Sequence, residues 1–281
     1  MITNTFCHMP HVGKKREERL WSSGIHTWDA LATVATSGIF KSGGAEVAHA
    51  AEMSGEHLGK GDALYFSKRL PNEEHWRLFH EFRDTTAYFD IETRGVAPPH
   101  DAVTTIALYD GRRIRHYING QNLDRFPEDI AEYRLLVTFN GSVFDVPYVE
   151  KFFGIRLPQA QIDLRFVLQR LGYTGGLKGC ERMLGMDRGE LDGVNGYLAV
   201  VLWREFIQQR NTRALETLLA YNIADTVNLE RLMVVAYNEN VRKTPFAEAR
   251  ILPTPVAPDQ PFTADLETVR RLKKRYARFL R

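Results

Sequence analysis

The segment TTAYFDIE, residues 85–92, combines a buried strand with two acidic side chains. Its β-branched and aromatic residues are typical of a strand inside a sheet. Asp90 and Glu92 are two positions apart, and such residues of a strand point to the same face of the sheet. Two carboxylates this close raise each other's pKa unless a positive charge lies between them. A divalent cation is the simplest candidate for such a charge, and a metal site would then need further ligands from elsewhere in the sequence.

A further acidic residue, Asp145, follows a later apolar strand and is a candidate partner for Asp90 and Glu92. An isolated Asp-x-Glu is more often a strand end with a solvated glutamate, so the pair by itself would not indicate a site. In FNGSVFD, residues 139–145, a glycine breaks the strand and Asp145 lies near the start of a helix. The alternative interpretation is a helix-start acid that is favoured by the helix dipole.

A second partner lies within a long helix. In YNIADTVNL, residues 221–229, Tyr221 and Asp225 are four positions apart and therefore share one helix face. A polar stripe that faces solvent is the alternative. Apolar neighbours favour an inward face, namely Leu218, Leu219, Ile223 and Val227.

The surrounding pattern predicts an α/β fold in which a mixed sheet is flanked by helices. VTTIALYDGRRIRHYING, residues 103–120, is two strands joined across Asp110-Gly111, because both residues tolerate the positive φ of a hairpin turn. YRLLVTFN, residues 133–140, is an apolar strand of the kind buried on both faces. QID, residues 161–163, is a short strand. Helices are predicted at about 144–153, 164–171, 177–184, 196–209 and 212–237.

Composition limits the class of protein. With 281 residues and 44% hydrophobic content, the chain can bury a substantial core, and its formal net charge of +2 is too small to identify a polyanionic partner. Two cysteines, Cys7 and Cys180, support neither a disulfide framework nor a zinc finger. The longest apolar run, residues 197–203, is far short of the ~20 residues of a membrane span. No signal-peptide pattern is present, so we expect a cytoplasmic protein with no membrane partner.

The acidic segments carry a resemblance to a known family. Asp90-Ile91-Glu92, Asn140-x-x-x-Phe144-Asp145 and Tyr221-x-x-x-Asp225 resemble, in order and separation, the three exonuclease motifs of the tyrosine variant (DEDDy) of the DEDD superfamily. Over about residues 84–240, the chain resembles the YprB-type ribonuclease H-like domain proteins more closely. The segments that carry this resemblance are FDIETRG, LVTFNGSVFDVPYV, QIDLRFVLQRLGYTGGLKGCERMLG and LLAYNIADTVNLERL.

The resemblance implies a ribonuclease H-like fold and a metal-dependent 3′-to-5′ exonuclease that acts on DNA or RNA. It also implies that four acids converge on two divalent ions: Asp90, Glu92, Asp145 and Asp225. Hard oxygen ligands suit Mg²⁺ or Mn²⁺. Tyr221 would orient or deprotonate the attacking water. A structure-selective endonuclease, an inactive nucleic-acid-binding module and a structural cation site remain as alternatives, and the sequence identifies no protein partner.

Four further residues are candidates for supporting roles. Asn140 would bond the sugar or phosphate of the substrate, although an asparagine before glycine also forms turns. Asp163 would lie behind the site or cap the following helix. Lys178 would meet a phosphate or remain solvated. Arg94, beside the expected metals, would hold the scissile strand.

The two ends of the chain differ from the predicted exonuclease domain, residues 83–240. Residues 1–82 are predicted to be helical, and MPHVGKKREERLWSSGI, residues 9–25, resembles one helix-hairpin-helix unit, with His11 where that family has glycine. The alternative is a helical hairpin that packs on the nuclease domain. Residues 241–281 contain a proline-rich linker and a basic helix at about 264–280 that would add positive charge for a phosphate backbone. Solubility or a membrane surface would also explain this helix.

Overall fold

The computed structural model of the chain describes residues 1–40, 42–95 and 103–276. Within these residues, five strands form one mixed sheet in the order β3-β2-β1-β4-β5. Strand β2 runs antiparallel to both β1 and β3, and β4 and β5 run parallel to β1. The strands are β1 Thr86–Thr93, β2 Val103–Tyr109, β3 Ile114–Ile118, β4 Leu135–Thr138 and β5 Ala160–Asp163.

Helices surround this sheet, and their positions follow the sequence prediction closely over the second half of the chain. The helix predicted to end at about residue 237 continues to Val241. The helices of the described residues are α1 Lys14–Ser22, α2 Trp28–Val34, α3 Gly44–Gly59, α4 Ala63–Ser67, α5 Phe79–Phe82, α6 Phe126–Ala131, α7 Asp145–Phe153, α8 Leu164–Arg170, α9 Gly176–Met183, α10 Gly196–Gln209, α11 Thr212–Val241, α12 Ala247–Arg250 and α13 Leu266–Tyr276. The predicted α/β class, a mixed sheet flanked by helices, is confirmed.

The hairpin between β2 and β3 forms where it was predicted, but its loop is longer. Tyr109 pairs with Ile114, so four residues connect the strands instead of two. Gly111 takes a φ of 84°, which an L-residue rarely adopts. The side chain of Asp110 accepts hydrogen bonds from the backbone N–H groups of Arg112 and Arg113, at 2.9 and 2.8 Å. This Asx-type turn makes a second positive-φ position unnecessary.

Strand β1 lies in the middle of the sheet, and its alternating side chains separate two hydrophobic cores. Phe89 and Ile91 belong to the core formed with α6 and α7. Tyr88 points to the opposite face, into the core that contains much of α11. Since side chains alternate along a strand, Asp90 and Glu92 share the Tyr88 face and point towards α11. The strand thus places its acids beneath this long helix.

The N-terminal helices pack into the core on the α11 side of the sheet. Trp21, Ile25 and Trp28 are buried there, as the helical-hairpin interpretation expects. His11 takes a φ of 61°, the left-handed conformation that a glycine at that position would favour. Before this loop, residues Ile2–Asn4 form a short 3-10 turn rather than the first helix of a helix-hairpin-helix unit. Phosphate binding by this loop stays a prediction.

The C-terminal segment returns to the domain. After α12, residues 251–265 form no helix or strand, in agreement with a proline-rich connection. Helix α13 buries Val269 and Leu272 in a core shared with α10 and α11. Arg271 is ion-paired with Glu205 of α10, with Nη2 and Oε2 2.6 Å apart. The predicted helix end beyond Tyr276 lies outside the described residues.

In the described part of the chain, no helix is both long enough and apolar enough to cross a membrane.

Candidate active site

Three carboxylates meet between β1 and α11. Asp90 and Glu92 come from the strand, and Asp225 comes from the helix, where it is buried. One carboxylate oxygen from each of the three lies within 4.8 Å of the other two. The structure therefore brings together three of the four predicted metal ligands, from segments more than 130 residues apart in the sequence.

Asp145, the fourth predicted ligand, lies next to this group but is held differently. It is the first residue of α7 and is buried. Its Oδ1 accepts a hydrogen bond of 3.0 Å from the backbone N–H of Ile91, the residue between Asp90 and Glu92. This bond joins α7 to β1. Asp145 also lines the same cavity of about 410 Å³ as Asp90 and Glu92.

Asn222 orients the carboxylate of Asp90 and was not predicted from the sequence. Its Nδ2 donates to the backbone oxygen of Asp90 at 3.1 Å and to Oδ2 of Asp90 at 2.8 Å. Its Oδ1 accepts from the hydroxyl of Thr105 on β2 at 3.1 Å. The fully buried amide thus ties α11 to two strands. The sequence feature that could have indicated a role for Asn222 was its position beside Tyr221, in one of the more apolar parts of the helix.

Burial and mutual repulsion favour the protonated forms of these acids. Burial, followed by the charges of Asp145, Glu92 and Asp225, raises the pKa of Asp90 well above its ordinary value. Burial and the Asp225 carboxylate raise the pKa of Glu92 in the same way. The pKa of Asp145 is raised to about 7, chiefly by burial, against the opposing hydrogen bond from Ile91. A bound cation would oppose these shifts, because it stabilises the ionised carboxylates.

Tyr221 lies one helical turn before Asp225 and is buried beside the acids. Burial, with the charges of Asp225 and Glu92, raises the pKa of Tyr221 well above 10. The hydroxyl therefore keeps its proton at neutral pH and acts as a hydrogen-bond donor, which favours the orienting role over the deprotonating one.

Two cations also lie at this site. Lys178 is half-buried rather than solvated, with Nζ 4.6 Å from the centre of the Tyr221 ring, and it donates to the backbone oxygen of Val194. The guanidinium of Arg188 bridges Asp225 and Glu181. Arg188 and Glu181 were both missed. Glu181 is on α9, and Arg188 belongs to the loop between α9 and α10, so neither forms a periodic pattern with the acids. Only the fold could reveal their contact with Asp225.

The other supporting candidates lie around the cavity rather than among the carboxylates. Asn140 lines the cavity in a left-handed conformation, with a φ of 64°. Its Oδ1 accepts from Nη1 of Arg165 at 2.5 Å. Asp163 caps α8 by accepting from the backbone N–H of Arg165 at 3.1 Å, and it also accepts from the backbone N–H of Asn140 at 2.7 Å. The helix-capping alternative for Asp163 is thus confirmed.

Arg94 does not lie among the residues that line the acidic cavity. It is exposed and lines an adjoining cavity of about 260 Å³ together with Trp203 and Arg204 of α10. The two cavities share Val200 on their common border. Arg94 therefore lies along a continuation of the cavity that contains the carboxylates.

The donor atoms at the centre of the site suit a hard divalent cation. Asp90, Glu92, Asp145 and Asp225 offer carboxylate oxygens, which Mg²⁺ and Mn²⁺ prefer over nitrogen and sulfur. Burial, followed by the neighbouring carboxylates, raises the pKa values of Asp90 and Glu92, and a bound cation would oppose this effect. The residues fit a divalent metal site.

Comparisons with known proteins find two similarities. A family model of the RNase H superfamily matches residues 87–237, more than half of the 281 residues. Among solved structures, the chain is similar to the family B DNA polymerase from the hyperthermophilic archaeon Pyrobaculum calidifontis, with 19% sequence identity and a TM-score of 0.43. That similarity covers 60% of this chain and 27% of the polymerase chain, which is less than two thirds of the polymerase. No curated protein matches the chain.

The raised pKa of Asp145 predicts a pH-dependent effect of Asp145→Asn on the metal-free protein. The folded carboxyl, with a pKa of about 7, keeps a proton that the unfolded chain releases near 3.8. The stability that this proton contributes is complete below the unfolded pKa and is lost as the pH rises through the folded pKa. Asparagine carries no charge, and its Oδ1 still accepts from Ile91.

With EDTA present, we expect the variant to melt above the parent at pH 8, by about 2–4 °C for each kcal/mol of relief. This difference should shrink as the pH falls towards 5. Thermal unfolding followed by circular dichroism measures it, and Asp124→Asn at an exposed position is the matched control. A melting difference that does not change with pH would contradict the assignment.

Proposed function

Because the chain belongs to the RNase H superfamily, we propose that it is a metal-dependent nuclease that hydrolyses phosphodiester bonds of DNA or RNA. The family match confirms the ribonuclease H-like fold that the sequence resemblance implied. One observation carries the proposal. Carboxylate oxygens of Asp90, Glu92 and Asp225 lie within 4.8 Å of one another beside an open cavity, and Tyr221 is buried one helical turn before Asp225.

In this proposal the site holds two Mg²⁺ or Mn²⁺ ions. Asp90, Glu92, Asp145 and Asp225 would hold these ions through their carboxylate oxygens. Bound ions at such a site supply a hydroxide nucleophile near neutral pH and stabilise the charge that develops on the phosphate and the leaving oxygen. Asn222 donates to the backbone oxygen and to Oδ2 of Asp90, which holds the carboxylate in one orientation.

Tyr221 would orient the attacking water by donating a hydrogen bond. The raised pKa of its hydroxyl keeps the proton at Oη, so Tyr221 does not serve as the base. Tyr221 lies one helical turn before Asp225, so its hydroxyl donor is near a proposed metal ligand. The assignment to the DEDDy variant is part of the proposal and is taken from the sequence resemblance.

The shape and charge around the carboxylates support a nucleic-acid strand as the substrate. The cavity of about 410 Å³ is within the range of pockets that enclose one small organic group, which fits a strand end better than the middle of a duplex. Beyond Val200, the adjoining cavity is lined by Arg94 and Arg204, whose guanidinium groups suit phosphates. A strand could therefore extend along α10. The 3′-to-5′ direction is taken from the sequence resemblance.

Cleavage assays test the proposal and distinguish it from an endonuclease. We expect 5′-labelled single strands of DNA or RNA to shorten stepwise from the 3′ end with Mg²⁺ or Mn²⁺, and not with EDTA. Asp90→Asn and Asp225→Asn should each lower the rate at least ~10²-fold, the range for removing one electrostatic stabiliser. Asp124→Asn, an exposed change of the same kind, should cleave like the parent.

A closed circular strand separates the two modes of cleavage. An exonuclease leaves the circle intact, whereas an endonuclease linearises it. Undiminished cleavage by folded Asp90→Asn and Asp225→Asn would refute the site assignment. Nucleic-acid binding without cleavage under all these conditions would favour the inactive binding module.

Replacing Tyr221 with phenylalanine tests the role of its hydroxyl. The ring stays in place, so metal and substrate affinity should change little. We expect kcat to fall by ~10²–10⁴, with KM nearly constant, because a positioned group is lost. The fall should be parallel from about pH 6 to 9, since the parent hydroxyl stays protonated throughout.

Tyr237→Phe provides a matched control on the same helix. Its hydroxyl is buried and has no hydrogen-bond partner among the described residues, so its removal should leave cleavage unchanged. Parent rates for Tyr221→Phe, with Asp225→Asn inactive, would retain the metal ligands and remove the tyrosine from the mechanism.

The exposed cations of α13 are proposed to contact the phosphate backbone. Arg270, Lys274 and Arg275 are exposed, whereas Val269 and Leu272 hold the helix on the domain. Changing the three cations to glutamine should weaken binding and reduce the slope of log affinity against log salt by ~0.7–0.9 for each lost contact.

Fluorescence anisotropy at a series of salt concentrations measures this slope. Arg271→Gln is the comparison variant, since Arg271 is already paired with Glu205 and should contribute little. An unchanged slope for the triple variant would assign these charges to solubility.

A further inference from the structure

The guanidinium of Arg188 is bound to the carboxylate of Asp225, which the proposed function assigns to a metal ion. Arg188 donates to Oδ1 of Asp225 through Nη2 and to Oε2 of Glu181 through Nη1. Glu181 is fully buried on α9, and its other oxygen accepts from Nδ2 of Asn228 at 2.7 Å. An arginine from the loop between α9 and α10 thus reaches the centre of the acidic site.

A guanidinium and a metal ion compete for the same ligand. Oδ1 of Asp225 accepts a hydrogen bond from Arg188. A divalent cation that binds this carboxylate brings a second positive charge into a buried space, where repulsion between cations is weakly screened. The ion and Arg188 cannot both bind Asp225 at full strength.

The surroundings of Arg188 allow its side chain to leave. Its Nε is buried and has no hydrogen-bond partner among the described residues, so the present position does not satisfy all of its donors. Arg188 also borders a cavity of about 500 Å³ with Asn228 and Phe262, separate from the cavity that contains Asp90 and Glu92. This cavity is a space beside Arg188 that a displaced guanidinium would enter.

We propose that Arg188 is an internal counter-ion that holds Asp225 in the metal-free protein and is displaced when an ion binds there. The inference rests on the proposed function and concerns the regulation of that same site. Its consequence is that the two ions bind unequally. The ion that needs Asp225 binds more weakly, because part of its binding free energy is used to displace Arg188, whereas the carboxylates of Asp90 and Asp145 have no such competitor in the described structure.

The competing explanation is that Arg188 only positions Asp225 for metal binding. The two roles predict opposite effects of Arg188→Gln. A positioning residue strengthens metal binding, so its loss weakens it. A displaceable counter-ion weakens metal binding, so its loss strengthens it.

Isothermal titration with Mn²⁺ distinguishes these roles. We expect Arg188→Gln to tighten the weaker Mn²⁺ site by about tenfold or more, the fold-change expected when one hydrogen bond to a charged group no longer has to be broken. The tighter site should change much less. Arg182→Gln, an exposed change of the same charge on α9, controls for long-range electrostatics and should bind Mn²⁺ like the parent.

A second variant guards against loss of folding. Arg188→Gln leaves the buried Glu181 without its cation, whereas Glu181→Gln/Arg188→Gln removes both charges and keeps an oxygen for Asn228. The double variant should show the same tightening. If the single variant does not fold, the double variant decides the result.

A measurement on the parent protein needs no substitution. With ¹⁵N-labelled arginine, the Nε–H signal of Arg188 should shift as Mg²⁺ saturates the weaker site. An unmoved signal at saturation would overturn the inference.

The outcomes separate the inference from the proposed function. Parent protein that binds Mn²⁺ and cleaves, with equal or weaker binding in the variants, would overturn the counter-ion role and leave the nuclease assignment standing. Parent protein that binds no Mn²⁺ would overturn both.

Discussion

Like charges buried next to one another are the constraint on which this site depends. Asp90, Glu92 and Asp225 approach within 4.8 Å beneath a helix, and removal from water makes each ionised form more costly. A fold can keep such a group only if other parts of the structure hold it in place. Asn222 holds Asp90, the backbone of Ile91 holds Asp145, and Arg188 holds Asp225. Asp90, Asp145 and Asp225 therefore each have one specific partner, drawn from a different element.

These partners explain why strand β1 and helix α11 form the centre of the molecule. Alternation along β1 sends Phe89 and Ile91 into one core and turns Asp90 and Glu92 towards α11. The amide of Asn222 then joins the helix to both β1 and β2, so the helix cannot shift along the strand without leaving buried polar groups unpaired. The contact that aligns the acids is thus also a contact that supports the fold.

Positive charge enters the site in two ways. Lys178 and Arg188 are protein cations at its border, and the carboxylate oxygens offer ligands for a divalent ion. Asp225 is the point where these two sources meet. Because the pKa values of Asp90 and Glu92 remain raised, the protein cations compensate the group only in part. This partial compensation is what the proposed metal ions would complete.

Much of the fold could be read from local patterns. The five strands, the helices of the second half and the common face of Asp90 and Glu92 follow from residue preferences and from the two-residue repeat of a strand. The hairpin at Asp110-Gly111 was also predicted, but its four-residue loop was not. In this loop the Asp110 side chain accepts a hydrogen bond from the backbone N–H of Arg112, which takes the place of a second positive-φ residue. Local sequence specifies where a turn lies more reliably than it specifies the number of residues in the loop.

The sequence by itself determined the acidic residues, their strand and helix, and the tyrosine one turn from Asp225. Each of these features depends on a pattern that spans only a few residues. Only the tertiary structure decided the contacts between segments. Arg188 meets Asp225 from a loop with no periodic pattern, Asn222 reaches Asp90 across 132 positions, and Arg94 lines the neighbouring cavity instead of the carboxylates. Such contacts depend on how strands, helices and loops pack in space, and no short-range pattern records that packing.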